Sequence, residues 1–143
     1  MTQEQQGTIF SAQTCLWSTP QYLFDELHQE FGFELDVCAT PDNAMLPKYW
    51  TAEDDGLLMP WEAVNWCNPP YGNRISDWLH KARLEAANGA ITVFLIPART
   101  DTRWFHEHVL GQASEIRFIK GRLKFGDASN SAPFPSMLII YRP

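Results

Sequence analysis

Apolar side chains recur at helical spacing in the first quarter of this chain. Thr19 is a suitable N-cap, Pro20 suits the first helical position, and Gly32 follows the last apolar residue. The pattern therefore predicts an amphipathic helix over residues 20–31. Its apolar face consists of Leu23, Phe24, Leu27 and Phe31.

Three further segments have the pattern of strands. Residues 33–38 alternate between apolar and polar side chains, whereas residues 64–67 and 91–96 form short apolar runs. Such runs are typical of parallel strands that are covered on both faces. Residues 39–60 have no period and contain several prolines and an acidic run, which predicts an irregular connection.

The second half of the chain predicts two more helices and a strand pair. Ser76 is expected to cap a helix that ends at Asn88-Gly89, and Asp101 to cap a third helix. Segments 115–125 and 136–141 are strand-like and flank a loop rich in Gly, Asp, Ser and Pro. The order of elements predicts an α/β fold, with a mostly parallel sheet and a C-terminal antiparallel hairpin.

Length and composition indicate one globular domain. The chain has 143 residues, of which 45% are hydrophobic and 20% charged. We predict a flexible N-terminal tail over residues 1–16 and a single domain over residues 17–143. Cys15, Cys38 and Cys67 have no CxxC spacing, and no targeting pattern or membrane-length apolar run is found, so we expect free thiols and a cytoplasmic location.

Charge is distributed unevenly along the chain. The net charge is −6, but residues 1–73 hold one base against eleven acids (−10) and residues 74–143 hold ten bases against six acids (+4). The second half is therefore suited to an anionic partner such as nucleic acid, although chance segregation of solvated charges is an equal alternative.

The segment Asn68-Pro69-Pro70-Tyr71 directly follows the strand at 64–67. The Asn68 side-chain oxygen and the Pro69 carbonyl form a pair of acceptors for an exocyclic amine, and the prolines fix the backbone that carries them. Tyr71 can stack on a base that has been flipped out of a duplex. Adenine and cytosine amines both suit such a pocket, and an ordinary turn is the structural alternative.

Other polar residues stand where ligands bind in parallel sheets, at the carboxyl ends of strands. Asp36 and Arg99 occupy such positions, although a turn or an ion pair would also explain them. The alternating bases Lys120, Arg122 and Lys124 form either a phosphate-binding stripe or the solvated side of an edge hairpin. His106 and His108 do not share a helix face, so we expect no metal site.

The chain resembles the phage-type DNA N-6-adenine-methyltransferase family from residue 17 to residue 141. The resemblance rests on the order and spacing of several short segments. These are Trp17-Ser18-Thr19-Pro20, Leu35-Asp36-Val37-Cys38-Ala39-Thr40 with Asn43, Asp55-Gly56-Leu57 with Trp61, Cys67-Asn68-Pro69-Pro70-Tyr71-Gly72, Lys81-Ala82, Ile96-Pro97-Ala98-Arg99-Thr100-Asp101-Thr102 with Trp104-Phe105, Gly121-Arg122-Leu123-Lys124-Phe125, and Pro133-Phe134-Pro135-Ser136.

The resemblance implies methyl transfer from S-adenosylmethionine to adenine in DNA by a Rossmann-like methyltransferase domain. It implies a catalytic group, a cofactor-binding group near the methionine and adenosine parts, and a DNA-contacting group. No glycine-rich loop follows the first strand, where Ala39-Thr40-Pro41 stands instead, so the adenosine contacts are assigned only to Asp55 and Asp42. The catalytic group is Asn68, Pro69, Pro70 and Tyr71; the cofactor group is Trp17, Thr19, Pro20, Asp36, Cys38 and Asp55; the DNA group is Arg74, Arg99, Lys120, Arg122 and Lys124.

Three alternatives stay open on the residues alone. One is methylation of the cytosine amine in DNA, a second is a non-catalytic DNA-binding module with the same fold, and a third is methylation of RNA or of a protein glutamine. No segment is long enough for a separate recognition domain. We therefore expect target recognition by the loops at 39–60 and 126–135, or by a homodimer.

Overall fold

Five short apolar segments pair into one sheet in the computed structural model, which describes residues 18–125 and 131–143. The predicted tail and Trp17 lie outside these residues. The strands are β1 (Leu35–Asp36), β2 (Val64–Cys67), β3 (Ile91–Pro97), β4 (Glu115–Phe118) and β5 (Ser136–Tyr141). The helices are α1 (Gln21–Phe31), α2 (Ile75–Ala87) and one turn of π-helix (Phe105–Val109).

The sheet has the order β1-β2-β3-β5-β4. Strands β1, β2 and β3 are parallel, so their carboxyl ends meet at one edge of the sheet. Strand β5 lies antiparallel between β3 and β4. The predicted α/β class is confirmed, and β4 and β5 form the antiparallel pair expected at the end of the chain, with β5 also paired to β3.

Both faces of the sheet are covered, which explains the continuous apolar strands. Alternate residues point to opposite faces of a strand. On one face, Trp66 and Val93 pack in a core with α1; on the other, Cys67 and Phe94 pack with α2 and the π-helical turn. All six residues of β5 are buried. Cys67 is a free thiol, as the sequence predicts.

The predicted N-caps are wrong at all three helices, whereas the predicted ends at Gly32 and Asn88 are confirmed as the C-caps of α1 and α2. Pro20 is the N-cap of α1, and no side chain caps that helix. Arg74 is the N-cap of α2, while the Ser76 hydroxyl donates to the Asn73 carbonyl. Before the π-helical turn, the hydroxyl of Thr102 accepts the Phe105 N–H at 3.3 Å, so Thr102 takes the role expected of Asp101.

Two predicted strands are shorter in the structure. Of residues 33–38 only Leu35–Asp36 joins the ladder, and of residues 115–125 only Glu115–Phe118 does. Residues 122–125 still alternate between exposed and buried side chains, although they form no strand. Within the described residues, no helix is long and apolar enough to cross a membrane.

Candidate active site

The turn of residues 68–71 stands at the carboxyl end of β2, where the sequence predicts it. The Tyr71 hydroxyl donates to Asn68 Oδ1 at 3.0 Å and lies 3.3 Å from the Leu95 carbonyl oxygen. Asn68 Nδ2 donates to Thr19 Oγ1 at 3.1 Å. Asn68 and Tyr71 thus join three elements: the start of α1, the end of β2 and the end of β3.

Aromatic packing fixes the ring of Tyr71. Phe125 and Phe134 contact it edge to face, with ring centroids 6.3 and 5.6 Å away. Burial raises the pKa of Tyr71 well above its ordinary value, so its hydroxyl keeps the proton at neutral pH. The segments on both sides of residues 126–130 therefore meet next to the Asn-Pro-Pro-Tyr turn.

Two cavities adjoin this turn and share the side chain of Cys38. The larger has a volume of about 490 Å³ and lies between the end of β1, the 51–57 loop and the 70–74 turn. The smaller, of about 10 Å³, has room for about one water molecule. Its wall is formed by Ser18, Thr19, Asp36, Cys38, Asn43, Met45, Trp66 and Asn68.

Close packing shapes the 51–57 wall of the larger cavity. A Cβ atom on Gly56 would lie 2.1 Å from the Val37 carbonyl oxygen, so only glycine fits there without a shift of the backbone. The Gly56 carbonyl accepts the Trp61 indole N–H at 2.8 Å, and Trp61 stacks on Trp78. Asp55 has a positive φ of 59°, and its Oδ1 accepts the Leu57 N–H at 3.2 Å.

Asp36 carries a buried carboxyl group at the end of β1, with 2% of its surface exposed. Burial raises its pKa to about 7, although the N–H groups of Met45 and Cys38 donate to its oxygens at 3.0 and 3.4 Å. The Trp66 indole N–H, in the same cavity wall, is buried without a hydrogen-bond partner among the described residues. The wall of the smaller cavity therefore has both a hydrogen-bond acceptor, the Asp36 carboxyl group, and an unused donor, the Trp66 indole.

The predicted catalytic and cofactor residues divide between the two cavities. Asn68, Thr19 and Asp36 line the smaller one; Asp55, Pro70 and Tyr71 line the larger one, and Cys38 lines both. Pro20 and Pro69 are buried next to Thr19 and Asn68 in the chain. Asp42 is exposed and lines neither of these cavities, so the structure does not support it as an adenosine contact.

Sequence reasoning missed several residues of the cavity walls. Thr51, Leu57 and Trp78 line the larger cavity, and Asn43 and Trp66 line the smaller one. The segment Asp55-Gly56-Leu57, which is part of the family resemblance, could have indicated one wall of the larger cavity. Trp78 had the periodicity of a core residue, and no pattern distinguished its role in the cavity.

The predicted DNA-contacting residues lie around Tyr71 and on the exposed surface. Arg74 lines the larger cavity and pairs with Asp77 at 3.1 Å. Arg99 is exposed, and its guanidinium carbon lies 5.8 Å from the centroid of the Phe134 ring. Lys120, Arg122 and Lys124 are exposed and form no ion pair with the described residues.

No group of three or more His, Cys, Asp or Glu residues within the described part of the chain is placed to hold a metal ion. An amide acceptor and an aromatic ring stand beside a cavity of about 490 Å³ at the carboxyl edge of three parallel strands. This arrangement is the one that the sequence predicts for the site of a methyltransferase that acts on amino groups.

Comparison with known proteins gives the family. The model of the DNA N-6-adenine-methyltransferase (Dam) family matches residues 6–143, so the chain belongs to this family. It is 29% identical over 137 residues to the DNA N-6-adenine-methyltransferase of Haemophilus phage HP1 (strain HP1c1), covering 90% of this chain and 79% of the relative. It is 36% identical over 63 residues to the putative methyltransferase YfdM of Escherichia coli (strain K12), covering 38% of this chain and 69% of that protein.

Proposed function

We propose that the turn of residues 68–71 holds the amino group of an adenine extruded from DNA, and that S-adenosylmethionine binds in the larger cavity as the methyl donor. Methylation of adenine in DNA is the activity of the family to which the chain belongs. The observation that carries the proposal is the hydrogen bond between Tyr71 and Asn68 Oδ1. It links the amide acceptor to a ring that lines the larger cavity.

Each residue of the turn has a distinct proposed role. The exocyclic amine of adenine is a weak nucleophile, because its lone pair is delocalised into the ring. Asn68 Oδ1 and the Pro69 carbonyl accept its two N–H bonds and hold the nitrogen toward a tetrahedral geometry. Pro69 and Pro70 fix φ, so these acceptors need no rearrangement during the reaction. The Tyr71 ring provides a stacking surface for the flipped base.

The residues of the larger cavity fit the proposed cofactor. Its volume of about 490 Å³ lies in the range of small-molecule sites. Val37, Leu57 and Trp78 provide apolar walls for an adenine ring, and Thr51 and Asp55 can bind ribose hydroxyls. The bound cofactor would supply an electrophilic methyl group. The three parallel strands, with the site at their carboxyl edge, support the Rossmann-like assignment.

The neighbouring Asp36 suits the cationic end of the methionine part. With a pKa of about 7, its carboxyl group is about half protonated near neutral pH in the protein alone, and an ammonium group beside it favours the ionised form. Cys38, which lines both cavities, lies between this end and the proposed nucleoside site. Thr19 and Pro20, at the start of α1, close the same corner.

The product of the reaction tests this function. The protein is incubated with DNA and S-adenosylmethionine, the DNA is digested to nucleosides, and the nucleosides are separated by liquid chromatography and identified by mass spectrometry. We expect N6-methyladenine as the modified base. N4-methylcytosine would instead show that the pocket takes the cytosine amine, and DNA binding without any methylated base would show a non-catalytic module.

The exposed bases are proposed to bind DNA phosphates. Lys120, Arg122 and Lys124 project from a segment whose buried residue Phe125 contacts Tyr71. This anchoring supports the proposal that these bases contact phosphates near the flipped base. Arg74, at the cavity, and Arg99, over Phe134, extend the same basic surface. A separate proposal is that two copies of the chain recognise the DNA target together. Sedimentation of the protein with and without DNA tests it.

Neutralising these bases is expected to weaken DNA binding in a salt-dependent manner. Log affinity falls with log salt. Each of Lys120→Gln, Arg122→Gln and Lys124→Gln should reduce the steepness of this fall by about one. Fluorescence anisotropy with labelled DNA at several salt concentrations measures this slope. Lys48→Gln, at an exposed position in the acidic half of the chain, is the control. Unchanged slopes for all three variants would remove the phosphate role.

A further inference from the structure

Hydroxyl groups bind the side-chain amide of Asn68 at both ends. Its Nδ2 donates to Thr19 Oγ1 at 3.1 Å, and its Oδ1 accepts the proton of Tyr71 at 3.0 Å. Thr19 is buried, with 7% of its surface exposed. The two contacts therefore lie in a region where water competes little for hydrogen bonds.

The orientation of this amide decides what it can do for an amine. The oxygen accepts hydrogen bonds, whereas the nitrogen only donates them, so an inverted Asn68 side chain would present a donor to the N–H groups of the base. Inversion would require both hydroxyls to exchange donor and acceptor roles. The Tyr71 proton would then have to use the longer contact, 3.3 Å, to the Leu95 carbonyl.

We propose that Thr19 and the hydroxyl of Tyr71 are positioning groups for the methyl transfer, because together they hold the Asn68 oxygen toward the target amine. This inference rests on the proposed role of Asn68. An amide oxygen has two lone pairs, so it can accept from Tyr71 and from a base at the same time. The raised pKa of Tyr71 agrees with a hydroxyl that keeps its proton.

Thr19 and Tyr71 thereby have roles that differ from those that the sequence predicts. Thr19 was expected to contact the methionine part of the cofactor, and here it acts through Asn68. Tyr71 was expected to act only through its ring, and here its hydroxyl has a second function. Phe125 and Phe134 support that function, because they fix the ring that carries the hydroxyl.

Matched substitutions test the two hydroxyls. Thr19→Val keeps the shape of the side chain and removes the acceptor, whereas Thr19→Ser keeps the acceptor. Tyr71→Phe keeps the ring and removes only the hydroxyl. We expect Thr19→Val and Tyr71→Phe each to lower kcat by about tenfold, the size expected from losing one buried hydrogen bond, with Thr19→Ser within about threefold of wild type. The KM for DNA and the Kd for S-adenosylmethionine should change by less than about twofold, because the cost falls on the transition state.

The readouts separate this inference from its rivals. A rise in the Kd for S-adenosylmethionine in Thr19→Val, with an unchanged kcat at saturation, would make Thr19 a cofactor contact and overturn the inference. Thermal denaturation checks folding; if Thr19→Val is unfolded, Tyr71→Phe decides alone. Wild-type kcat in Tyr71→Phe would then reject the positioning role.

The proposed role of Asn68 can fail separately. If Asn68→Ala prevents transfer while both hydroxyl variants keep wild-type kcat, only the positioning inference is overturned. If Asn68→Ala itself retains transfer, the role of Asn68 and the inference that depends on it are both rejected. Loss of kcat in all three variants, with cofactor affinity retained, supports both.

Discussion

Asn68→Ala is expected to lower kcat by about 100- to 1000-fold, the size seen when one preorganised polar group is removed from an active site. The variant loses the side-chain acceptor that we propose for the adenine amine, while the Pro69 carbonyl remains. Binding of S-adenosylmethionine should be nearly unchanged, because Asn68 does not line the larger cavity, in which the adenosine part of the cofactor is proposed to bind. Single-turnover methylation assays measure the rate, and isothermal titration calorimetry measures the affinity for the cofactor.

The control for this experiment is Asn88→Ala, which changes an exposed asparagine beyond the end of α2. Wild-type activity in the control ascribes the loss to position 68. Tyr71 still has the Leu95 carbonyl as an acceptor in Asn68→Ala, so the fold should survive the substitution. Equal losses of transfer and of cofactor binding would contradict a role that is confined to the amine.

Asp36 is expected to make the protein less stable as the pH rises from about 4 to about 8. Its pKa is about 7 in the folded protein and 3.8 ordinarily. Between these values the folded state binds a proton that the unfolded state has lost, so the free energy of unfolding falls with pH. The cost of the buried charge is absent below about pH 4 and complete above about pH 8, and it amounts to about 4 kcal/mol.

Comparison with Asp36→Asn isolates this effect, because the amide does not titrate. Urea unfolding at a series of pH values should show wild type losing about 4 kcal/mol relative to the variant between pH 4 and pH 8. Asp42→Asn controls for the loss of one carboxylate at an exposed position. Parallel stability curves for wild type and Asp36→Asn would contradict a strongly raised pKa.

Elements with a strong local pattern could be predicted from the sequence. The α1 prediction differs from the structure by one residue at its start, and β2 and β5 have the predicted bounds. N-caps could not be predicted, because an N-cap depends on which partner a hydroxyl finds. Thr19 is the clearest example: its oxygen accepts from Asn68, which lies 49 residues away in the chain.

The basic segment shows how an alternating pattern can mislead. Arg122 and Lys124 do alternate with the buried residues Leu123 and Phe125, but the cause is packing against the aromatic residues near Tyr71 rather than pairing in a sheet. Periodicity records which side chains are buried and not which backbone groups are paired. The predicted strand therefore continued for seven residues past Phe118.

The site was predictable in its centre and not in its walls. The Asn-Pro-Pro-Tyr turn is contiguous in the sequence, so its position after a strand could be recognised. The larger cavity combines the end of β1 with residues 51–57, 70–74 and Trp78, and these segments meet only in the folded chain. The burial of Asp36, which raises its pKa, likewise depends on tertiary packing.

The place of β5 in the sheet also bears on how the protein is made. This strand hydrogen-bonds to β3 on one side and to β4 on the other, although it follows both in the chain. A ribosome-bound chain that has emerged only to residue 135 holds both neighbours with unpaired edges and an incomplete core, a state prone to aggregation. Completion of the sheet therefore waits until residues 136–141 leave the exit tunnel.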